Sequence, residues 1–299
     1  MNYIIFIIGL VALIIGSITD LRKREVPDWL NYGLMFVGIG VSLLFSIIYS
    51  DYHIILGSIT GFLLMFLLGS LMFYTGQWGG GDSKMLMGLG ALLGLPIIFP
   101  LRSLLYFWKF DLPLLFIFII YVMVVGAFYG LLWSIGLAII HRKAFIKDIS
   151  KRLTTKNSKL IKYLLLALAI FSIIVLFLAN DIIIRLFPLW LSVLLIILFY
   201  TFHFIKTIEK TCMIKFVEPE ELTEGEWINK TIKINSKYIC GPKDLGISKE
   251  QIETLLKLKK SKKYNKKIEI KIGIPFVPSF LIAYLLAYLL GIGWLTIIM

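Results

Sequence analysis

Charge is scarce in this chain. Asp, Glu, Lys and Arg make up 16% of its 299 residues, against about 25% in soluble domains. Cysteine is scarcer still, and Cys212 and Cys240 lie far apart with no CxxC spacing and no companion histidine. That excludes a thiol-based zinc cluster or a disulfide framework and leaves two reduced thiols. The three histidines, His53, His141 and His203, are isolated, with no second ligand at i+3 or i+4. Neither a metal nor a cofactor is expected. Apolar residues, by contrast, fill 59% of the sequence and the mean hydropathy is +0.89. Those values exclude both a water-soluble globular fold and disorder.

Apolar segments run over 3–19, 29–49, 54–74, 84–100, 113–140, 163–179, 186–205 and 274–298. Each approaches the roughly 20 residues needed to cross a bilayer, so the expectation is an all-α polytopic membrane protein of about eight transmembrane helices. The segment 84–100 is short, with Pro96 and Pro100 near its end. Four regions follow: a membrane core of five helices over 1–140, a basic linker plus two helices over 141–205, a small α+β domain over 206–272, and a final transmembrane helix over 273–299. In the third region, Thr231–Ile234 and Lys267–Ile272 alternate as strands do. Between them Ser248 and Gln251 are spaced as a helix-starting capping box.

The net charge of +13 is no sign of a nucleic-acid partner, because the basic residues sit between apolar segments. Of the 31 Lys and Arg, 28 fall on one side of the membrane; only Arg102, Lys109 and Arg185 fall on the other. The basic side is cytoplasmic by the positive-inside rule, which puts both termini outside. The basic linker is expected along anionic headgroups. Gly57 and Gly61, Gly90 and Gly94, and Gly126 and Gly130 have the spacing that permits close helix approach.

Ionisable groups at the ends of membrane helices cost free energy and ask for a reason. Asp20 closes the first apolar segment, just before Leu21-Arg22-Lys23-Arg24. Asp82 opens the fourth, in Gly79-Gly80-Gly81-Asp82-Ser83-Lys84. The topology brings both to the cytoplasmic boundary. Each alone reads as a helix-end residue, an N-cap in the case of Asp82; together, with a glycine run that lets another backbone come close, they read as a pair. Two carboxylates close together in a partly dry site do not both ionise easily and share a proton. Such a dyad suits acid–base hydrolysis of a peptide bond. Asp28 is a rival on the same face and reads as a first-turn charge. Ser83 and Lys84 are adjacent, so their side chains diverge, which argues against a Ser–Lys nucleophile.

Asp20 followed by Val26-Pro27, then Gly79-Gly80-Gly81-Asp82-Ser83-Lys84, resembles the GxGD aspartic membrane proteases, and more specifically the archaeal preflagellin/prepilin branch of the type IV prepilin peptidases. Gly273-Ile274-Pro275-Phe276-Val277-Pro278 resembles the stretch that opens the last helix in that family. The resemblance covers 1–140 well and 206–299 loosely, and 141–205 is unmatched. It implies Asp20 and Asp82 as catalytic residues, with Gly79, Gly81, Lys84 and Pro27 in support and Pro275 and Phe276 as candidate substrate contacts. It also implies cleavage of class III signal peptides, short basic leaders ahead of an apolar helix, in prepilin or preflagellin precursors at the cytoplasmic face of the plasma membrane. The lipid bilayer is the other partner expected. Glu218, Glu220, Glu221, Glu224 and Glu226 form an acidic patch that would receive a basic leader, or else a solvated turn. Two alternatives stand beside this reading: a GxGD protease that cuts within other membrane helices, and a proton-coupled transporter using carboxylate relays.

Overall fold

The computed structural model describes residues 2–96, 112–234, 237–261 and 264–291. The chain divides into two compact units: Met1–Leu132 together with Gly273–Met299, and Trp133–Ile272. The second is thus an insertion in the first. Among the described residues six helices are long and apolar enough to cross a membrane, and the chain is a multi-pass membrane protein.

The first unit contains α1 (Asn2–Lys23), α2 (Asp28–Ile48), α3 (Tyr52–Tyr74), α4 (Gly80–Leu93), most of α5 (Leu114–Ile140) and α10 (Val277–Leu290). The expected helices are present, with shifted ends. Helix α1 runs on past Asp20, which therefore lies inside its last turns. Helix α4 begins at Gly80, not at 84, and stops at Leu93 because Gly94 adopts φ +65°. Its 14 residues span about 21 Å, less than the roughly 30 Å hydrocarbon core. The remainders of the segments expected at 84–100 and 274–298 lie outside the described residues.

Short as it is, α4 is the most enclosed helix. Ser83, Met85, Leu86, Gly88, Leu89, Gly90, Ala91 and Leu92 are all buried, between α2 and α3. At the α3–α4 crossing Gly61 faces Gly90. A Cβ on Gly90 would stand 2.5 Å from the carbonyl oxygen of Gly61, so the backbones touch only because neither residue has a side chain. Ser58 Oγ donates to Ala91 O at 2.6 Å across the same seam. Gly130, which shares the spacing, meets nothing within 4 Å.

Among its described residues the second unit contains the end of α5, then α6 (Arg142–Leu153), α7 (Lys156–Leu178), α8 (Ile182–Thr211), α9 (Lys249–Lys260) and five strands. The expected linker 141–162 is helical almost throughout. Phe145, Ile149 and Leu153 share one half-buried face of α6, and Phe145 packs edge-on to Phe204 of α8 at 5.5 Å. Small polar groups join α7 to α8: Ser172 Oγ donates to Pro188 O at 2.9 Å, and Ser158 Oγ lies 3.3 Å from His203 Nε2.

After α8 comes the α+β domain. Strands β1 (Ile214–Val217), β5 (Ile268–Lys271) and β2 (Trp227–Ile228) form an antiparallel sheet in that order, pairing Ile214 with Lys271 and Ile228 with Ile270. Strands β3 (Ile232–Ile234) and β4 (Lys237–Cys240) make a separate antiparallel pair. The sheet's inward residues Val217, Ile228, Ile268 and Ile270 close on Leu255 of α9 and Ile247. The capping box forms as the spacing predicts: Gln251 N donates to Ser248 Oγ at 3.3 Å and Ser248 N to Gln251 Oε1 at 3.0 Å. Both cysteines are free and buried.

Candidate active site

Asp20 is buried, 5% exposed, and its Oδ2 accepts a hydrogen bond from Val277 N at 2.9 Å. Val277 is the first residue of α10, so that N–H has no partner within its own helix, and the dipole there favours a negative charge. Pro278 at the start of α10 pre-sets the helical backbone. The Ile-Pro-Phe-Val stretch therefore ends in the group that holds the Asp20 carboxylate. Arg24, in the left-handed region at φ 60°, donates to Gly273 O and brings its positive charge to bear on Asp20. Tyr129 of α5 stands within charge range of both Asp20 and Arg24.

Asp82 is the third residue of α4. Its Oδ2 accepts from Gly79 N at 3.1 Å, tying the carboxylate to the turn that starts the helix. Gly79 has no side chain to return the bond, so Asp82 provides one half of a capping box by itself. The next contact explains the glycine at 81. A Cβ there would come 3.2 Å from Val26 Cβ and 3.3 Å from Val26 N. The Val-Pro and Gly-Gly-Gly-Asp motifs meet at this point, and Pro27 caps the start of α2 beside it.

The first turn of α2 cradles the first turn of α4. Asn31, fully buried, donates through Nδ2 to Gly81 O at 3.4 Å. Asp28 Oδ1 accepts from Lys84 Nζ at 2.6 Å, and Lys84 Nζ also lies 5.2 Å from the centre of the Tyr32 ring. Asp28, read as a first-turn charge, is that and also the anchor for Lys84. Asn31 and Tyr32 were not read from sequence, although an amide inside so apolar a helix is a signal.

A second clasp is aromatic. Trp78, just before the glycines, packs on Phe276 at 5.5 Å and on Phe280 at 5.4 Å. The Phe276 ring also presses on Gly126 of α5, where a Cβ would meet its Cζ at 2.5 Å. Pro275 beside it is buried. These contacts join the turn that carries Asp82 to the turn that holds Asp20. The structure thus brings Asp20, Asp82, Gly79, Gly81, Lys84, Pro27, Pro275 and Phe276 into one neighbourhood. Among the described residues no three His, Cys, Asp or Glu side chains gather as a metal site would require.

The acidic patch, in the second unit, is matched internally. Lys259 Nζ bonds Glu218 Oε2 at 2.8 Å and Glu220 Oε2 at 2.6 Å. Lys249 pairs with Glu224 at 3.3 Å, and Glu221 and Glu226 accept from backbone N–H groups of Glu218 and Thr223. These bonds engage the carboxylates within their own domain, where the side chains of Glu220 and Glu224 stay more than half exposed.

Residues 7–131 match the sequence profile of the type IV leader peptidase family. A preflagellin peptidase of Methanocaldococcus jannaschii is 34% identical over 158 residues, 52% of this chain and 62% of the relative. A preflagellin peptidase of Methanococcus maripaludis is 47% identical over 88 residues, 29% of this chain and 38% of the relative. One of Methanococcus voltae is 40% identical over 90 residues. The chain thus spans 38% to 62% of the length of these curated relatives. The matched stretch contains Asp20, Asp82 and the Val26–Gly81 contact, and it ends close to where the inserted unit begins.

Proposed function

We propose that the chain is an aspartic endopeptidase of the plasma membrane that removes the short basic leader of preflagellin-like or prepilin-like precursors at the cytoplasmic membrane face. The observation that carries this reading is the packing of Trp78 on Phe276, which joins the turn that carries Asp82 to the turn whose Val277 N–H holds Asp20, two carboxylates on different helices within the matched stretch. The substrate class follows the relatives, which are preflagellin peptidases. The concentration of 28 of 31 basic residues on the side of both aspartates supports the cytoplasmic orientation, with both termini outside.

The ionised carboxylate of the pair takes a proton from water as the water oxygen attacks the scissile carbonyl carbon. The protonated carboxyl gives its proton to the carbonyl oxygen, so a neutral tetrahedral intermediate forms. On collapse the C–N bond breaks, the amine nitrogen gains a proton from the first carboxyl, and the second recovers its own from the intermediate's hydroxyl. The apparent ionisation constants belong to the pair. Backbone N–H groups at Val277 and Gly79 fix one oxygen of each acid and leave the other for water and substrate. The precursor's apolar helix is held in lipid, with its scissile bond at the polar boundary.

The test is incubation of the purified full chain with a preflagellin precursor, with the new N-terminus identified by mass spectrometry. Asp20→Asn and Asp82→Asn should each lower the rate by roughly 10³-fold or more while the protein elutes unchanged from size exclusion. Near wild-type cleavage by either variant would remove the dyad. Full loss with no precursor cut by the wild type would remove the substrate class.

A further inference from the structure

Helix α6 is joined to α5 by His141 alone and to α7 by Thr154 and Thr155. Its 12 residues, about 18 Å of helix, are therefore tied at both ends to helices long and apolar enough to cross a membrane, and must stay at the boundary where those helices end. One face is taken. Phe145 packs on Phe204, and Asp148 is paired with Arg152 and, at 3.6 Å, with Lys210 of α8.

The other face is exposed and cationic. Arg142, Lys143, Lys147 and Lys151 project from it, and Lys156, Lys159 and Lys162 continue the charge along the first turns of α7. Asp148 is the only acid in 141–162, and its two bonds leave the outer face uncompensated. Apolar groups are interleaved with the charges. Ile146 is exposed, and an open groove of about 440 Å³ at the α5–α6 corner is lined by Ile140, His141, Arg142, Lys143 and Ala144.

We infer that this face of α6, with the corner groove, is a docking surface for anionic lipid headgroups. A lipid phosphate meets the ammonium and guanidinium groups, while Ile140, Ala144 and Ile146 meet the upper acyl chain, as on other basic interfacial helices. An acidic soluble protein would satisfy the charges but leave those aliphatic groups against water at the membrane's edge. The inference lies outside the matched stretch and does not depend on the hydrolytic reading.

The experiment uses the full chain in nonionic detergent, mixed with equal amounts of phosphatidylglycerol and phosphatidylcholine, with retained lipid counted by native mass spectrometry. Wild type should hold phosphatidylglycerol at least about tenfold over phosphatidylcholine. The variant with Lys143→Gln, Lys147→Gln and Lys151→Gln should lose that preference, at roughly a factor of several per charge removed. The corresponding triple Lys→Arg variant should keep it. In unaltered protein, about 1 M salt, which screens charge within about 3 Å, should abolish the preference whatever the Gln variant's folding. Equal retention of both lipids by wild type, an unchanged preference in the Gln variant, or a salt-insensitive preference would overturn the inference.

Discussion

Helices α1 and α7 look interchangeable as sequences, at 22 and 23 residues, both strongly apolar and both with basic residues at one end. In the fold they are opposites. Of the most apolar window, 39% is buried inside the protein in α1 and 6% in α7. Hydropathy decides that a helix enters a bilayer; it does not decide whether protein or lipid surrounds it. Among lipid tails there is no hydrophobic gain from helix association, so contact depends on how closely backbones fit. The first unit achieves that fit with glycines set against a neighbouring backbone or ring, as at Gly61, Gly90 and Gly126. In the second, a Cβ on Gly136 would meet nothing within 4 Å, and Ser172 of α7 donates across to Pro188 O of α8. An acid buried in protein, such as Asp20, has fixed partners; lipid offers none.

This contrast can be broken most directly at the glycines. Gly61→Leu would drive a side chain into the Gly90 carbonyl, and overpacking at a backbone contact costs about 3 kcal/mol or more. Gly136→Leu, in open space, should change stability by less than about 0.5 kcal/mol. Thermal unfolding in detergent would reveal the difference, and equal shifts would mean that the crossing is not what holds the first unit. A smaller effect is expected at Lys84. Its ion pair with Asp28 involves side chains 34% and 65% exposed, so Lys84→Met should cost no more than about 1 kcal/mol of stability. Because the pair sets the turn that carries Asp82, turnover should nonetheless fall roughly tenfold or more, with KM little changed. Pairing Asp28→Lys with Lys84→Asp should recover part of the loss; wild-type turnover in Lys84→Met would rule out the positioning role.

The smallest expected effect concerns the second unit's ion pairs. The hydrogen bond from Lys259 holds the Glu220 carboxyl below its usual value, as that from Lys230 does for Glu269. Both acids therefore stabilise the fold most when ionised. That contribution is fully present above about pH 4.5, the ordinary glutamate value, and is lost as pH falls through the lower folded values. Fluorine NMR of labelled Trp227 should show the α+β domain melting earlier below that pH, and Glu269→Gln should flatten the dependence. A pH-independent melting point would show that these pairs contribute nothing.

Much of this was legible in the sequence. The starts and ends of α2 and α3 follow the apolar runs almost to the residue, because nothing but hydropathy and flanking turns is needed there. The start of α4 was not, because a triple glycine gives no helical signal; the helix begins early because Asp82 supplies the cap. Helix α6 was read as a linker, since its charges mask a face completed only by Phe204 on another helix. The motif acids and glycines were visible. Their second contacts, Asp28 to Lys84, Asn31 to Gly81 and Trp78 to Phe276, were not, because they join residues remote in sequence that only the crossing of helices brings together.

The bond from Val277 to Asp20 has a consequence for biosynthesis. The carboxylate leaves the ribosome 257 positions before its donor, with the whole inserted unit in between. At common elongation speeds of 5–20 residues per second, that gap lasts on the order of tens of seconds. Throughout it, the nascent chain holds an acid without its mate. The candidate site is thus finished only once α10 has been delivered, and a product stalled before Val277 would leave Asp20 without that donor.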